Sequence, residues 1–252
     1  MTTAIEKLEI PFLGLKETSP VLPPTPITPY IVDRRQLFPG SVFDSHCHLD
    51  LIYRRLRGGV CPNVQSLQTC LNLDGDELGN SFGGCVANFA HPGDWGRSDG
   101  QVSDIIRDSV KDRRVFLAIG CHPHYADKLQ GNIKIDQLDM LVSGQSHYLK
   151  GRVVAVGECG LDYSNNNTVD KDIQKQVFAD QLKIALKYKL PIVLHIRNAE
   201  DDGFSVLQAA GVPYSWPIHR HCFTGDWTAA STWLDRYPKS KIGVTSLIRR
   251  QL

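Results

Sequence analysis

From residue 41 onward, short apolar runs alternate with longer segments whose apolar positions recur at helical spacing. The runs at 41–43, 84–89, 115–119, 153–156, 192–194, 218–219 and 242–244 read as buried strands. Between them, 102–112, 135–149, 172–188, 204–210 and 228–237 read as helices. The clearest is 172–188, where Ile173, Val177, Leu182, Ala185 and Leu186 share one stripe. Asp170 and Asp172 stand at its start, where a helix favours negative charge. Strand–helix alternation of this kind predicts a parallel sheet covered by helices, either open and doubly wound or closed into a barrel.

The polar residues that end the strands choose between these two. His46 and His48 follow the first apolar run, Glu158 follows Val153-Val154-Ala155-Val156-Gly157, His195 follows Pro191-Ile192-Val193-Leu194, and His221 follows Pro217-Ile218-His219-Arg220. An open sheet would spread these strand ends along a line, whereas a barrel gathers them around one rim, where barrel enzymes keep their active sites. The expected fold is therefore an α/β, TIM-like barrel. Alternate residues of an extended strand share a face, so His46 and His48 present two imidazoles together, an arrangement suited to a metal ion. With a carboxylate able to bridge two ions, the economical arrangement puts His46 and His48 on one metal, His195 and His221 on the other, and Glu158 between them. Two such ions would suit hydrolysis of a phosphoester.

Composition narrows the class without naming a substrate. A chain of 252 residues with 42% hydrophobic residues can build one barrel-sized core, and a net charge of +1 neither demands nor excludes a nucleic-acid partner. Seven scattered cysteines lack a CxxC pair and suggest reduced thiols. Neither a leader nor a run long enough to span a membrane is recognisable, so the expectation is a cytoplasmic, or nuclear, protein without membrane association. Residues 1–40 hold seven of the 14 prolines and read as a flexible arm ahead of a domain at 41–252.

Five motifs carry a resemblance. Asp44-Ser45-His46-Cys47-His48-Leu49-Asp50, Gly120-Cys121-His122-Pro123-His124, Gly157-Glu158-Cys159-Gly160-Leu161-Asp162-Tyr163, Leu194-His195-Ile196-Arg197 and His221-Cys222-Phe223-Thr224-Gly225 resemble, in order and spacing, the TatD-type metal-dependent deoxyribonucleases. The resemblance implies a TIM-like barrel, two divalent ions (Mg, Mn or Zn) and hydrolysis of DNA phosphodiesters, in single strands or from 3′ ends. It makes His46, His48, Glu158, His195 and His221 the metal ligands, with Glu158 and His122 catalytic, and sets His124 and Arg197 at the substrate phosphate. His219 precedes His221 by two residues, but the family pattern favours His221 as the ligand.

The family also carries an eighth strand ending in an aspartate that binds metal and positions water, whereas this sequence ends at Leu252. Asp162 and Asp226 do not match that motif position, so the expectation is a barrel short of its eighth strand, with weak metal binding and slow turnover. Competing readings are a catalytically inactive barrel serving as a binding protein, and an amidohydrolase acting on an amide or lactone. The second usually presents a lysine where Glu158 stands. Outside the cluster, Arg54, Arg55, Arg57, Arg249 and Arg250 could touch a phosphate backbone, and Trp95 could stack on a base.

Overall fold

The computed structural model describes residues 42–52, 82–96, 102–129, 132–144 and 149–245. The proline-rich arm and the five arginines just named lie outside them. Seven strands form one parallel sheet whose spatial order is the order of the chain: β1 (Val42–Cys47), β2 (Phe82–Phe89), β3 (Val115–Ile119), β4 (Val153–Asp162), β5 (Ile192–Arg197), β6 (Ile218–Arg220) and β7 (Lys241–Ile242). Helices α1 (Asp104–Ser109), α2 (Asn132–Val142), α3 (Lys171–Tyr188), α4 (Glu200–Ala209) and α5 (Trp227–Arg236) follow β2 to β6 in turn. This unbroken order is that of a βα barrel, since an open doubly wound sheet reverses order at a switch point. Among the described residues, β1 and β7 each have one strand partner.

Several strands run further than the apolar runs that predict them. The expected strands at 153–156 and 192–194 continue to Asp162 and Arg197, because main-chain pairing persists through glycine and polar residues, matching Gly160 with His195 and Asp162 with Arg197. Histidines expected just beyond strand ends therefore lie inside β1 and β5. Helix boundaries shift as well. The helix expected at 102–112 shortens to α1, capped by the Ser103 side chain, and α4 starts at Glu200, with three acidic residues in its first turn.

Alternation along the strands, broken on β4 where Val154 and Ala155 both join the inner cluster, divides the core into two layers. Val86, Ala118, Val154, Ala155 and Val193 pack together with Phe43 and Phe116 inside the curl of the sheet. Their strand neighbours Cys85, Ala87, Leu117, Ile119, Ile192 and Leu194 belong to the larger cluster beneath the helices. Moving two residues along an inner row reaches the site, from Val193 to His195 on β5.

Close approach of β4 to β5 requires Gly160. At φ +141° it occupies backbone space that other residues rarely enter, and a Cβ there would stand 1.9 Å from the His195 carbonyl oxygen. Helix α3 then pins two strand ends from outside. Asp170 caps it through Asp172 N and Ile173 N, while Gln174 and Gln181, one heptad apart, both face the sheet. Gln174 Oε1 accepts from Asp162 N at 2.9 Å. Gln181 accepts from Cys121 N at 2.7 Å and donates to Cys121 O at 3.2 Å. These glutamines sit in the stripe that a purely apolar reading of α3 assigns to Val177 and Leu182.

Candidate metal centre

Glu158 lies 3% exposed at the focus of the strand ends. Its two oxygens face different strands. Oε2 lies 3.5 Å from His46 Nε2 and 3.2 Å from His48 Nε2, both on or just after β1. Oε1 lies 2.5 Å from His221 Nε2, 3.3 Å from His195 Nδ1 and 3.7 Å from His122 Nε2. The His46 ring stacks on that of His221, with centroids 4.1 Å apart, so the two sides touch. Two triads bring one ligand atom each within 4.8 Å of one another: His46, Glu158 and His221, and His122, Glu158 and His195. His221 thus stands beside His46 as well as His195, and the sequence-based pairing omits His122 from the cluster.

Burial opposes charge on Glu158, but the surrounding imidazoles of His221, His195 and His46 outweigh it and hold the carboxyl well below its usual range. Burial likewise dominates at His122 and His221 and pushes each down to about 3, so both rings are neutral and present lone pairs. An ionised carboxylate beside the neutral imidazoles of His122 and His221, with His46, His48 and His195 around it, is a nitrogen and oxygen donor set for a divalent cation. Among the described residues, Glu158 Oε2 and His46 Nδ1 are buried without a well-formed hydrogen bond, which fits a site that requires a further occupant.

Asp162 is the residue that sequence reasoning set aside. It is 1% exposed, and its Oδ2 lies 2.9 Å from His195 Nε2 and 3.2 Å from His124 Nε2. Oδ1 accepts from Ser164 N at 2.9 Å. Burial opposes the charge, but hydrogen bonds from His195 and Ser164 prevail and hold Asp162 well below the usual carboxylate range. At His195 burial also opposes the charge, and hydrogen bonds to Asp162 and Glu158 raise the ring above its ordinary value. Alternation within the regular end of β4, where Gly160 pairs with His195 and Asp162 with Arg197, puts Asp162 on the face of Gly160, beyond the irregularity between Gly157 and Cys159.

His124 therefore abuts Asp162, and Arg197 Nη1 lies 3.9 Å from the same oxygen with its side chain 37% exposed. His219 stands apart from Glu158. Burial lowers it to about 4, its ring is 5.9 Å from that of His46, and a Cβ on Gly243 would meet its Nε2 at 2.4 Å. Asp226 caps α5 through Ala229 N at 2.8 Å. Trp95, considered for base stacking, is fully buried and donates from Nε1 to Phe89 O at 2.9 Å. Its donor and its ring are both engaged in packing the loop after β2.

The model of the family described as TatD related DNase matches residues 43–251. The chain belongs to that family. A human relative named 3′-5′ RNA nuclease TATDN2 is 30% identical over 207 residues, which are 81% of this chain and 24% of the relative. A relative from Erwinia tasmaniensis named 3′-5′ ssDNA/RNA exonuclease TatD is 36% identical over 106 residues, 42% of this chain and 38% of that protein. Others, from Buchnera aphidicola and Bacillus subtilis, are named uncharacterized metal-dependent hydrolases. This TatD-family chain spans well under half the length of the human and Erwinia relatives. The crystal structure of a TatD homologue from Escherichia coli K12 superposes with a TM-score of 0.58 at 23% identity, over 79% of this chain and 66% of that one, and shows the same fold.

Proposed function

We propose that this chain is a divalent-cation-dependent phosphodiesterase that degrades single-stranded nucleic acid, DNA foremost, from its 3′ end. The observation that carries this reading is the convergence of five imidazoles on the two oxygens of one buried, ionised carboxylate. His46, His48, His195 and His221 are the proposed nitrogen ligands and Glu158 the bridging oxygen ligand, with His122 completing the side that faces β3. Ions held there would supply an activated water and neutralise charge on the phosphate. Asp162 keeps the His195 ring turned so that Nδ1 faces Glu158. His124 and Arg197 offer hydrogen-bond donors at the same rim for phosphate oxygens. The names of the human and Erwinia relatives, an RNA nuclease and an ssDNA/RNA exonuclease, support a nucleic-acid substrate.

The test uses 5′-labelled single-stranded DNA and RNA oligonucleotides with Mg²⁺, Mn²⁺ or Zn²⁺, and Glu158→Gln as the comparison. A ladder shortening from the 3′ end is expected, with a rate at least about 100-fold lower in the variant, since losing a direct ligand should exceed the 10- to 100-fold cost of losing an outer contact. Tight binding of metal and oligonucleotide without cleavage by the unaltered chain would instead favour a non-catalytic binding protein.

A further inference from the structure

One polar pair on the rim beyond His122 has no part in the cluster. His91 follows β2, and Lys128 lies near the end of the 3-10 segment Pro123–Leu129 that follows β3. His91 Nδ1 accepts from Gly93 N at 3.2 Å and lies 3.7 Å from Asp94 Oδ2. The tuck of the ring depends on glycine, because a Cβ at residue 93 would stand 2.7 Å from His91 Cε1. An imidazole that accepts at Nδ1 carries its hydrogen on Nε2. That nitrogen is 3.4 Å from Lys128 Nζ, an ammonium with no lone pair to offer. With the Gly93 amide donating to Nδ1, the two facing nitrogens are both donors.

Tyr125 holds both groups in place. The His91 ring meets it edge-on at 4.4 Å, and Lys128 Nζ sits 4.9 Å from the ring centroid. Tyr125 in turn is 6.2 Å, centroid to centroid, from His122. The donor pair thus stands one aromatic ring beyond His122, whose Nε2 lies 3.7 Å from Glu158 Oε1.

We propose that His91 Nε2 and Lys128 Nζ form a subsite for a non-bridging phosphate oxygen, belonging to the phosphate next to the one that is cleaved. This rests on the nucleic-acid reading above. An anionic oxygen between the two groups accepts from both and relieves the opposed donors. Such a contact positions the strand without reading its sequence.

The experiment measures binding of a fluorescein-labelled single-stranded oligothymidylate to the full chain by anisotropy, in chelator so that nothing is cut. Lys128→Met keeps the stem over Tyr125, and His91→Asn keeps an acceptor for the Gly93 amide. Lys128→Met should weaken binding about fivefold irrespective of sequence and reduce the slope of log Kobs against log salt by about 0.7. One neutral methylphosphonate, walked along the strand, should at a single position weaken the unaltered protein by the same factor and leave Lys128→Met unaffected. His91→Asn should show a smaller loss at that same position. Unchanged affinity and slope in both variants, or no position that distinguishes them from the unaltered protein, would overturn the subsite. If DNA is cleaved while Lys128→Met binds normally, the subsite fails and the nuclease reading stands. If binding depends on Lys128 but no cleavage occurs with any ion, the subsite stands and the nuclease reading fails.

Discussion

Replacing Asp162 by Asn tests how the centre is oriented. A carboxylate only accepts, so its Oδ2, 2.9 Å from His195 Nε2, fixes a hydrogen on that nitrogen and leaves Nδ1, 3.3 Å from Glu158 Oε1, as the nitrogen that gives up its shared proton when a cation binds. Asparagine can retain the bond from Ser164 N to Oδ1 at 2.9 Å, but it then turns an NH₂ group toward both His195 Nε2 and His124 Nε2. His195 must shift its hydrogen to Nδ1, which removes a ligand lone pair, or the amide must flip and leave the Ser164 amide unpaired. Stranding this part-buried donor costs at most what a fully buried one would, about 1–3 kcal/mol. Loss of an outer partner of a metal-bound histidine lowers metal affinity about 10- to 100-fold, or about 1.4–2.7 kcal/mol. The two routes give similar costs, so Asp162→Asn should bind Zn²⁺ or Mn²⁺ about 10- to 100-fold more weakly in calorimetric titration of the metal-free protein. A cooperative thermal melt of the metal-free variant would show that the fold persists. Equal affinities for the two proteins would refute the orientation argument, and no binding by the unaltered chain would refute the centre itself.

Gly160→Ala should lower stability by about 3 kcal/mol or more, combining about 1–3 kcal/mol of backbone strain with a Cβ 1.9 Å from the His195 carbonyl oxygen. Gly144→Ala, at φ +72° with none of the described residues within 4 Å of its Cβ, should cost only about 1 kcal/mol, and equal losses in denaturant melts would contradict the packing described for β4 and β5. Asp112 gives a pH-dependent test away from the centre. Burial opposes its charge, but the Arg114 side chain and amide hold its carboxyl below the ordinary 3.8. A lowered folded-state value means that the carboxylate stabilises above the unfolded value and that this contribution is lost as pH falls through the folded value. Melts of Asp112→Asn should therefore lie below those of the unaltered protein at neutral pH and approach them as pH falls below about 4. A constant gap across that range would show that the ion pair is not the cause.

The sequence by itself determined the succession of elements and most of the cluster's residue types. Apolar runs specify buried strands wherever they occur, and histidines two residues apart share a face in any extended backbone, so the barrel order and His46 with His48 were legible locally. Other features depend on contacts between segments far apart in the chain, and only the tertiary structure decided them. Asp162 gains its role because β4 continues past its apolar run and aligns with β5, which brings a carboxylate to His195 from 33 residues away. Gln174 and Gln181 look like interruptions of an apolar stripe until the loops they hold are packed against α3. Trp95 shows the same dependence in the opposite direction. Its sequence neighbours allow either a loop open to a base or a packed loop, and burial and a bond to Phe89 O commit it to the core, because a side chain's partners are set by which strands curl together.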